Sequence, residues 1–537
     1  MSFYSLDAYV TIAFTVNWKI LPKHSDDLIE QFLINRGIKT EAEKEKFFSG
    51  RLTDFEKELN LPGIPKAKAR IEKAIKDGEL IIAFGDYDVD GIAGAAVLYM
   101  GLTKLGAKVL PYIPHREKEG YGLSKLGLEF ARDSGASVVV TTDTGIVAYE
   151  AAEYAKSLGL DLIITDHHQT GGKLPNAFAV VHSLQMCGAA VTWSLFRDES
   201  LLDYVALATV SDMIPLVGVN RVIVVEGLKR LNRTNRVGLK ALFADAELEL
   251  GNISSYEMGH VIAPRLNAMG RLEHAIDSLR LLCTKDSVKA KKLAQLVSET
   301  NEQRKALTGA AVEEAKLMIV GSTKKIHVLF SNNWSSGIVG LVAGRICEET
   351  GCSTVAIAEG LEYSKGSARA GKGEDIVKLL RQCGDLLEAV GGHSGAAGFT
   401  IKTRNIEEFK KKLESLINYS STEPQANGEV ILEVEAEVKS GELNLDLVKK
   451  LDKLEPFGID NPRPILATLH MKVSDLRTVG NGKHLKGKVD GKDFIAFNMG
   501  GMVLSNGQLV NLAYTLEADK WDGRQKLQLK VRDIQTI

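Results

Sequence analysis

The placement of acidic residues constrains this chain most. The apolar runs LIIAF (80–84), SVVVTTD (137–143) and DLIITDHH (161–168) each lead directly into or end in acidic or imidazole side chains, the first of them through GDYDVDG. AKVLPYI (107–113) reads as one more strand, and the helical stretches IAGAAVLYMGLTKLG and AYEAAEYAKSLG fall between them. Strands that are apolar without polar alternation are buried on both faces, which implies a parallel sheet covered by helices. Four polar clusters result: Asp86-Tyr87-Asp88-Val89-Asp90-Gly91, Asp143-Thr144-Gly145, Asp166-His167-His168 and Ser211-Asp212-Met213-Ile214-Pro215. Each is expected at a strand carboxyl end, where open α/β sheets bind ligands.

Taken singly, the clusters have ordinary readings. DYDVDG suits a solvated turn or a calcium loop, although it follows a buried strand and lacks the later Glu of an EF-hand. DTG suits a turn, DHH a hydrogen-bonded loop, and SDMIP a helix–loop boundary. Four such clusters in βα order are another matter, because Asp and His are rare at buried strand ends unless something compensates their burial. Carboxylates crowded into one crevice repel, and divalent cations relieve that repulsion. Oxygen donors with one imidazole suit Mn²⁺ or Mg²⁺ better than zinc. A carboxylate shared by two ions would give a clamp for phosphoryl displacement.

The 537 residues exceed what one core can hold and predict three or four domains. With 45% hydrophobic and 25% charged residues, the composition excludes disorder. The balance of 67 Lys+Arg against 69 Asp+Glu leaves a net charge of -2, so no global basic field advertises nucleic acid. Five cysteines in mostly apolar surroundings read as reduced thiols of a cytoplasmic protein. No run reaches membrane-span length, and the amino terminus lacks a basic n-region.

Residues 1–78 read as a helical extension, 79–283 as the strand–helix domain, and 284–322 as a long connecting helix. A smaller α/β unit spans 323–420. A polar linker, YSSTEPQANGE (419–429), precedes a β pattern with turns at VGNGKH, KVDGKD, LSNGQ and WDGRQ, which fits an OB-like barrel over 424–537.

GDYDVDG, DTG, TDHH and SDMIPL, in this order and spacing, resemble the four motifs of the DHH phosphoesterase superfamily. APRLNAMGRLEHA (263–275) and LEPFGIDNPRP (454–464) resemble the RecJ type of single-strand exonuclease. NNWSSGIVGLVAGRI (332–346), GSARA (366–370) and GGHSGAAGF (391–399) resemble the DHH-associated domain. The resemblance runs from about 25 to 537. It implies an α/β fold with a parallel-sheet DHH domain, a connecting helix, a smaller α/β DHH-associated domain and a carboxyl-terminal OB-fold. It also implies 5′-to-3′ hydrolysis of single-stranded DNA with two Mn²⁺ or Mg²⁺ ions. The expected chain is a monomer without membrane attachment, partnered by single-strand-binding protein and a helicase. The rival readings are a phosphoesterase of nanoRNA or cyclic dinucleotides, disfavoured by the OB-like tail, and a non-catalytic replication-fork scaffold, disfavoured by the retained carboxylates.

By the same resemblance Asp88 and Asp90 each bind a metal, Asp143 bridges, and His167 and Asp212 complete the second site. Asp86 ligates or orients water, and His168 supports the cluster from behind. Three positions depart from the pattern: Phe84 stands where relatives carry a His ligand, Thr144 follows Asp143 where Asn or Cys is frequent, and Ser335 follows Trp334 where His is frequent. For substrate, Gly391-Gly392-His393 reads as a glycine loop approaching phosphate, with the His393 imidazole donating to a non-bridging oxygen. Ser367 and Arg369 hold a terminal 5′ phosphate. Arg265, Asn267 and Arg271 line the cleft, Arg116 contacts phosphate, and Tyr121 stacks on a base. In the barrel, Arg477, Lys483, His484, Lys486 and Lys488, near Phe494, Phe497 and Trp521, suit a single-strand groove.

Overall fold

Apolar strands that leave no polar face to solvent must be sandwiched, and the computed structural model has them so. It describes residues 16–120, 122–419, 430–521 and 524–537. The chain divides into two units, one holding residues 55–214 and 222–419, the other residues 16–54, 215–221 and 430–537 among those described.

The larger unit begins with a five-stranded, all-parallel sheet in the order Lys108–Tyr112, Leu80–Gly85, Ala136–Thr142, Asp161–Asp166, Ala179–His182. The fifth strand was not expected, because its four residues are too few to carry a periodic signal. Asp86, Asp143 and Asp166 sit at adjacent strand ends as expected. Asp212 does not; it is the C-cap of the helix Leu202–Ser211, correcting the fourth strand-end assignment. That helix is buried on nearly every side, so its apolar run carries no helical stripe to read. The connecting helix is Ser287–Ile319, 33 residues and about 50 Å long. The side chain of Asp286 caps its amino terminus by accepting from Val288 N and Lys289 N. Beyond it lies a mixed sheet ordered Leu387–His393, Ala396–Lys402, Tyr363–Arg369, Ser353–Ala358, Ile326–Ser331. Gly391, Gly392 and His393 end the edge strand of that sheet, opposite Gly398, Ala397 and Ala396. They are a hairpin arm rather than a glycine loop: two small-residue runs facing each other pair as strands.

In the smaller unit the strand Leu466–Val479 pairs with both His484–Val489 and Leu509–Trp521, and Lys492–Ala496 and Arg524–Thr536 complete a closed barrel. A helix, Leu445–Asp452, packs on it. The expected helical extension is not one piece. Val16–Ile20 is a strand parallel to Val430–Val434, and Phe32 and Leu33 are buried in the barrel core with Leu466, Phe494 and Leu512. The helix Ile64–Asp77 belongs to the other unit. The LEPFG motif is held by Arg221, which donates to the carbonyls of Leu454 (3.1 Å) and Glu455 (2.7 Å) while its guanidinium lies 3.7 Å over the Phe47 ring. Most of the expected linker, residues 420–429, lies outside the described residues. All five cysteines are unpaired. Among the described residues no helix is long and apolar enough to cross a membrane.

Candidate metal centre and phosphate cleft

Asp88 is the N-cap of the helix Val89–Lys104, its Oδ1 accepting from Asp90 N and Gly91 N at 3.1 Å each. The cap fixes the first turn, so Asp86, Asp88 and Asp90 reach the carboxyl edge of the sheet together. Asp166 is spent on its own loop: it accepts from Ile146 N, His167 N and His168 N, and from His168 Nδ1 at 2.8 Å. That loop turns His167 towards the carboxylates, its Nε2 lying 3.1 Å from Asp143 Oδ1, 3.6 Å from Asp212 Oδ2 and 3.7 Å from Asp90 Oδ2.

Among the described residues three sets of donor atoms therefore form, the atoms of each lying within 4.8 Å of one another: Asp86, Asp88 and Asp143; Asp90, His167 and Asp212; Asp143, His167 and His168. Asp86 and Asp143 are buried, and one oxygen of each has no hydrogen-bond partner among the described residues. Such orphaned acceptors are costly. Burial and neighbouring carboxylates push Asp86 and Asp143 far above the usual carboxylate range. Burial and the Asp88 charge push Asp90 to about 7, and burial with Asp90 pushes Asp212 to about 8. Burial and the neighbouring His168 push His167 down to about 4, leaving a neutral imidazole able to ligate. Burial would also lower His168, yet the hydrogen bond to Asp166 lifts it to about 9. Oxygen-rich donors, two orphaned oxygens and one neutral imidazole fit a pair of divalent cations of the Mn²⁺ or Mg²⁺ class.

Phe84 is wholly buried and packs on Tyr112, ring centroids 5.1 Å apart, so it is core and lends nothing to the first set. Ser335 closes a turn by accepting from Gly337 N. Trp334 donates to Glu314 of the connecting helix (2.9 Å).

The substrate candidates separate. His393 is exposed and its ring stacks on His168, centroids 6.3 Å apart and planes 8° from parallel, which brings the second sheet to the metal centre. Arg369 donates to Ser367 Oγ (3.1 Å), and both abut the amino terminus of the helix Val339–Thr350. A Cβ built on Gly340 would lie 3.2 Å from Ser367 Oγ and 3.4 Å from Arg369 Nη2. Arg271 donates to Gly337 O, and burial with the charges of Arg116 and Arg304 pushes it down to about 10; Arg369 adds to that repulsion. Arg116 lies over the Tyr87 ring at 4.8 Å. Asn267 instead faces the first motif, its Oδ1 accepting from Val89 N (3.0 Å), and Arg265 donates to Ser298 and to Val261 O. Tyr121 lies outside the described residues.

In the barrel Phe494 is core, whereas Phe497 is exposed and meets His484 edge-on at 5.2 Å. Arg477 and Lys486 face each other across the hairpin, and Lys488 is paired with Asp475 at 2.9 Å. The side chain of Trp521 is not among those described.

Sequence reasoning missed Arg304, one cation on a long polar helix, and the amides of Gly188 and Ala189. These amides donate to Asp90 at 2.6 and 2.8 Å from a segment, MCGAAVTW, without charge.

Three family models match: the DHH family N-terminal domain over residues 80–209, the DHHA1 domain over 323–418 and the RecJ OB domain over 434–533. The single-stranded-DNA-specific exonuclease RecJ of Bacillus subtilis is 32% identical over 95% of this chain and 68% of its own. The crystal structure of Thermus thermophilus RecJ with Mn²⁺ superposes with a TM-score of 0.83 at 27% identity, over 97% of this chain and 80% of that one. The same protein with Mg²⁺ gives 0.76 at 26%, over 97% and 79%. Matched along nearly its whole length by a relative 32% identical, and carrying all three domains of that family, the chain belongs to the RecJ family.

Proposed function

We propose that this protein is a single-strand-specific 5′-to-3′ exodeoxyribonuclease of DNA repair and recombination that works in the cytoplasm. The observation that carries the reading is the pair of donor sets Asp86, Asp88, Asp143 and Asp90, His167, Asp212, joined where His167 Nε2 lies 3.1 Å from Asp143 Oδ1, beside a cluster of four arginines, Arg116, Arg271, Arg304 and Arg369. Asp86, Asp88 and Asp143 would hold one ion, and Asp90, His167 and Asp212, with Asp143 shared, the other. Bound there, the pair would supply an activated water and neutralise charge on the scissile phosphate. The chain's own groups do the rest. The arginines, with Ser367, would seat a terminal phosphate bidentately, which places the first diester beside the carboxylates. His393 would donate to a non-bridging oxygen as charge develops, and His168, held by Asp166, would keep His167 in its ligating orientation. Asn267 would fix the first motif rather than touch DNA.

The same reading divides the chain into a catalytic domain (79–283), connecting helix (284–322), DHH-associated domain (323–420) and OB-fold (424–537). It takes the protein as a monomer, with single-strand-binding protein and a helicase as partners. End-labelled single strands of DNA and RNA, with label at either end, test it in Mn²⁺ and in EDTA. Mononucleotides released first from the 5′ end of DNA are expected. Release from the 3′ end, or cleavage confined to dinucleotides, would replace the reading with that of a short-oligonucleotide phosphoesterase.

A further inference from the structure

Asp90 is buried among like charges, and something must aim it. Its two oxygens are both taken by backbone donors from a distant turn: Gly188 N to Oδ2 at 2.6 Å and Ala189 N to Oδ1 at 2.8 Å. The short helix Gly188–Trp193 has no capping side chain of its own, so the carboxylate of Asp90 satisfies its first amides. Gly188 is also pressed against the other half of the centre. A Cβ there would lie 2.5 Å from Asp143 Cβ and 2.6 Å from Asp143 Cα, distances no real side chain tolerates.

The turn is itself fastened. Thr192 Oγ1 lies 2.6 Å from Thr142 Oγ1 and 2.5 Å from Thr165 Oγ1, all three fully buried. Thr142 immediately precedes Asp143 and Thr165 immediately precedes Asp166. One uncharged turn thus touches three of the four acidic motifs.

We propose that Gly188 and Ala189, anchored by Thr192, are positioning residues that set the spacing between the two metal sites. Their amides fix the direction of Asp90, and the bare Cα of Gly188 lets Asp143 stand beside it. The inference rests on the two-metal reading above. Each oxygen of Asp90 keeps a lone pair for an ion, and its rotation is already arrested, so the ordering cost on binding is reduced. Partners of this kind change metal affinity by about 10–100-fold when removed.

The test is calorimetric titration of the metal-free full chain with Mn²⁺, alongside its melting temperature and its affinity for single-stranded DNA in EDTA. Ala189→Pro removes one donor at a position in the first helical turn, where proline is tolerated. It should lower the melting temperature, because a buried Asp90 oxygen loses its donor, while keeping the wild-type DNA affinity, weakening Mn²⁺ binding about tenfold at one site, and recovering cleavage at raised Mn²⁺. Gly188→Ala should weaken both sites, because it displaces the shared Asp143. Thr192→Val removes the anchor with its shape kept; should Ala189→Pro fail to fold, a several-fold weaker site in Thr192→Val carries the proposal. Unchanged Mn²⁺ stoichiometry and affinity in the folded variants would overturn it and make the turn mere packing. A wild-type chain that binds no Mn²⁺ would instead overturn the two-metal reading itself.

Discussion

Asp143 belongs to two of the three donor sets, and one of its oxygens has no hydrogen-bond partner among the described residues, so its removal should separate the two metal sites without disturbing a hydrogen bond to that oxygen. Asp143→Ala is expected to lower turnover at least about a hundredfold, the scale of losing a major electrostatic stabiliser. Single-strand binding in EDTA should persist, since the arginines are untouched; digestion at near wild-type rate would remove Asp143 from the centre. The raised carboxylates make a second prediction. In the metal-free chain Asp90 titrates at about 7 and Asp212 at about 8, above their unfolded values. A group whose folded value is raised stabilises the fold at low pH and loses that contribution as pH rises through the folded value. The metal-free melting temperature should therefore fall between about pH 5 and about pH 8.5. The increment given by Mg²⁺ should grow across the same window, because ligands bind deprotonated. Melting curves with EDTA and with Mg²⁺ across that range check it, and a pH-independent increment would count against the carboxylates as ligands. The candidate ligands could be picked out in the sequence because buried charge at strand ends is rare. Gly188 was not, because what matters there is a missing atom and a backbone donor 98 residues from its acceptor.

The proposed phosphate cleft draws on whole elements: the strand Tyr363–Arg369, the helix Val339–Thr350, the helix Ala263–Leu272 and the connecting helix. Alternation along YSKGSAR places Ser367 and Arg369 on one face of their strand, which the GSARA resemblance had singled out without its geometry. Arg304 entered from the connecting helix, where it donates to Asn301 and reads from sequence as one more solvated charge. A guanidinium, Arg271, repelled by three others suits a dianion better than a monoanion, and a terminal phosphate monoester carries the second charge that a diester lacks. Arg369→Ala should therefore narrow the preference for 5′-phosphorylated over 5′-hydroxyl ends while single-strand binding elsewhere persists. The check is the ratio of initial rates on the two ends. An unchanged ratio would put the terminal phosphate somewhere else. The hairpin Leu387–His393 and Ala396–Lys402 shows the opposite failure: glycine-rich sequence suggested a loop, yet backbone pairing needs no side chains, and the composition could not tell the two apart.

At the scale of the whole chain, the order of domains was visible in the change from strand–helix rhythm to short β segments, but the amino-terminal residues were not. Val16–Ile20 finds its partner more than 400 residues away, a pairing no local pattern can announce. The barrel's place in function rests on charge. The outward face of His484–Val489 carries His484, Lys486 and Lys488, and Arg477 stands directly opposite Lys486, an arrangement that costs stability unless an anion lies across it. Lys488 already has Asp475, so Arg477, Lys483 and Lys486 are the cations most available to a strand. Each single-strand phosphate neutralised contributes about -0.7 to the slope of log affinity against log salt. Reversing these three to Glu should flatten that slope by up to about 2 for a long oligonucleotide. Cleavage of oligonucleotides too short to engage both the metal centre and the barrel should change little. The measurement is binding across a salt titration, long strand against short and wild type against the triple variant. Equal slopes on the long strand would return the hairpin to a solvated face and leave the grip on DNA to the arginine cluster alone.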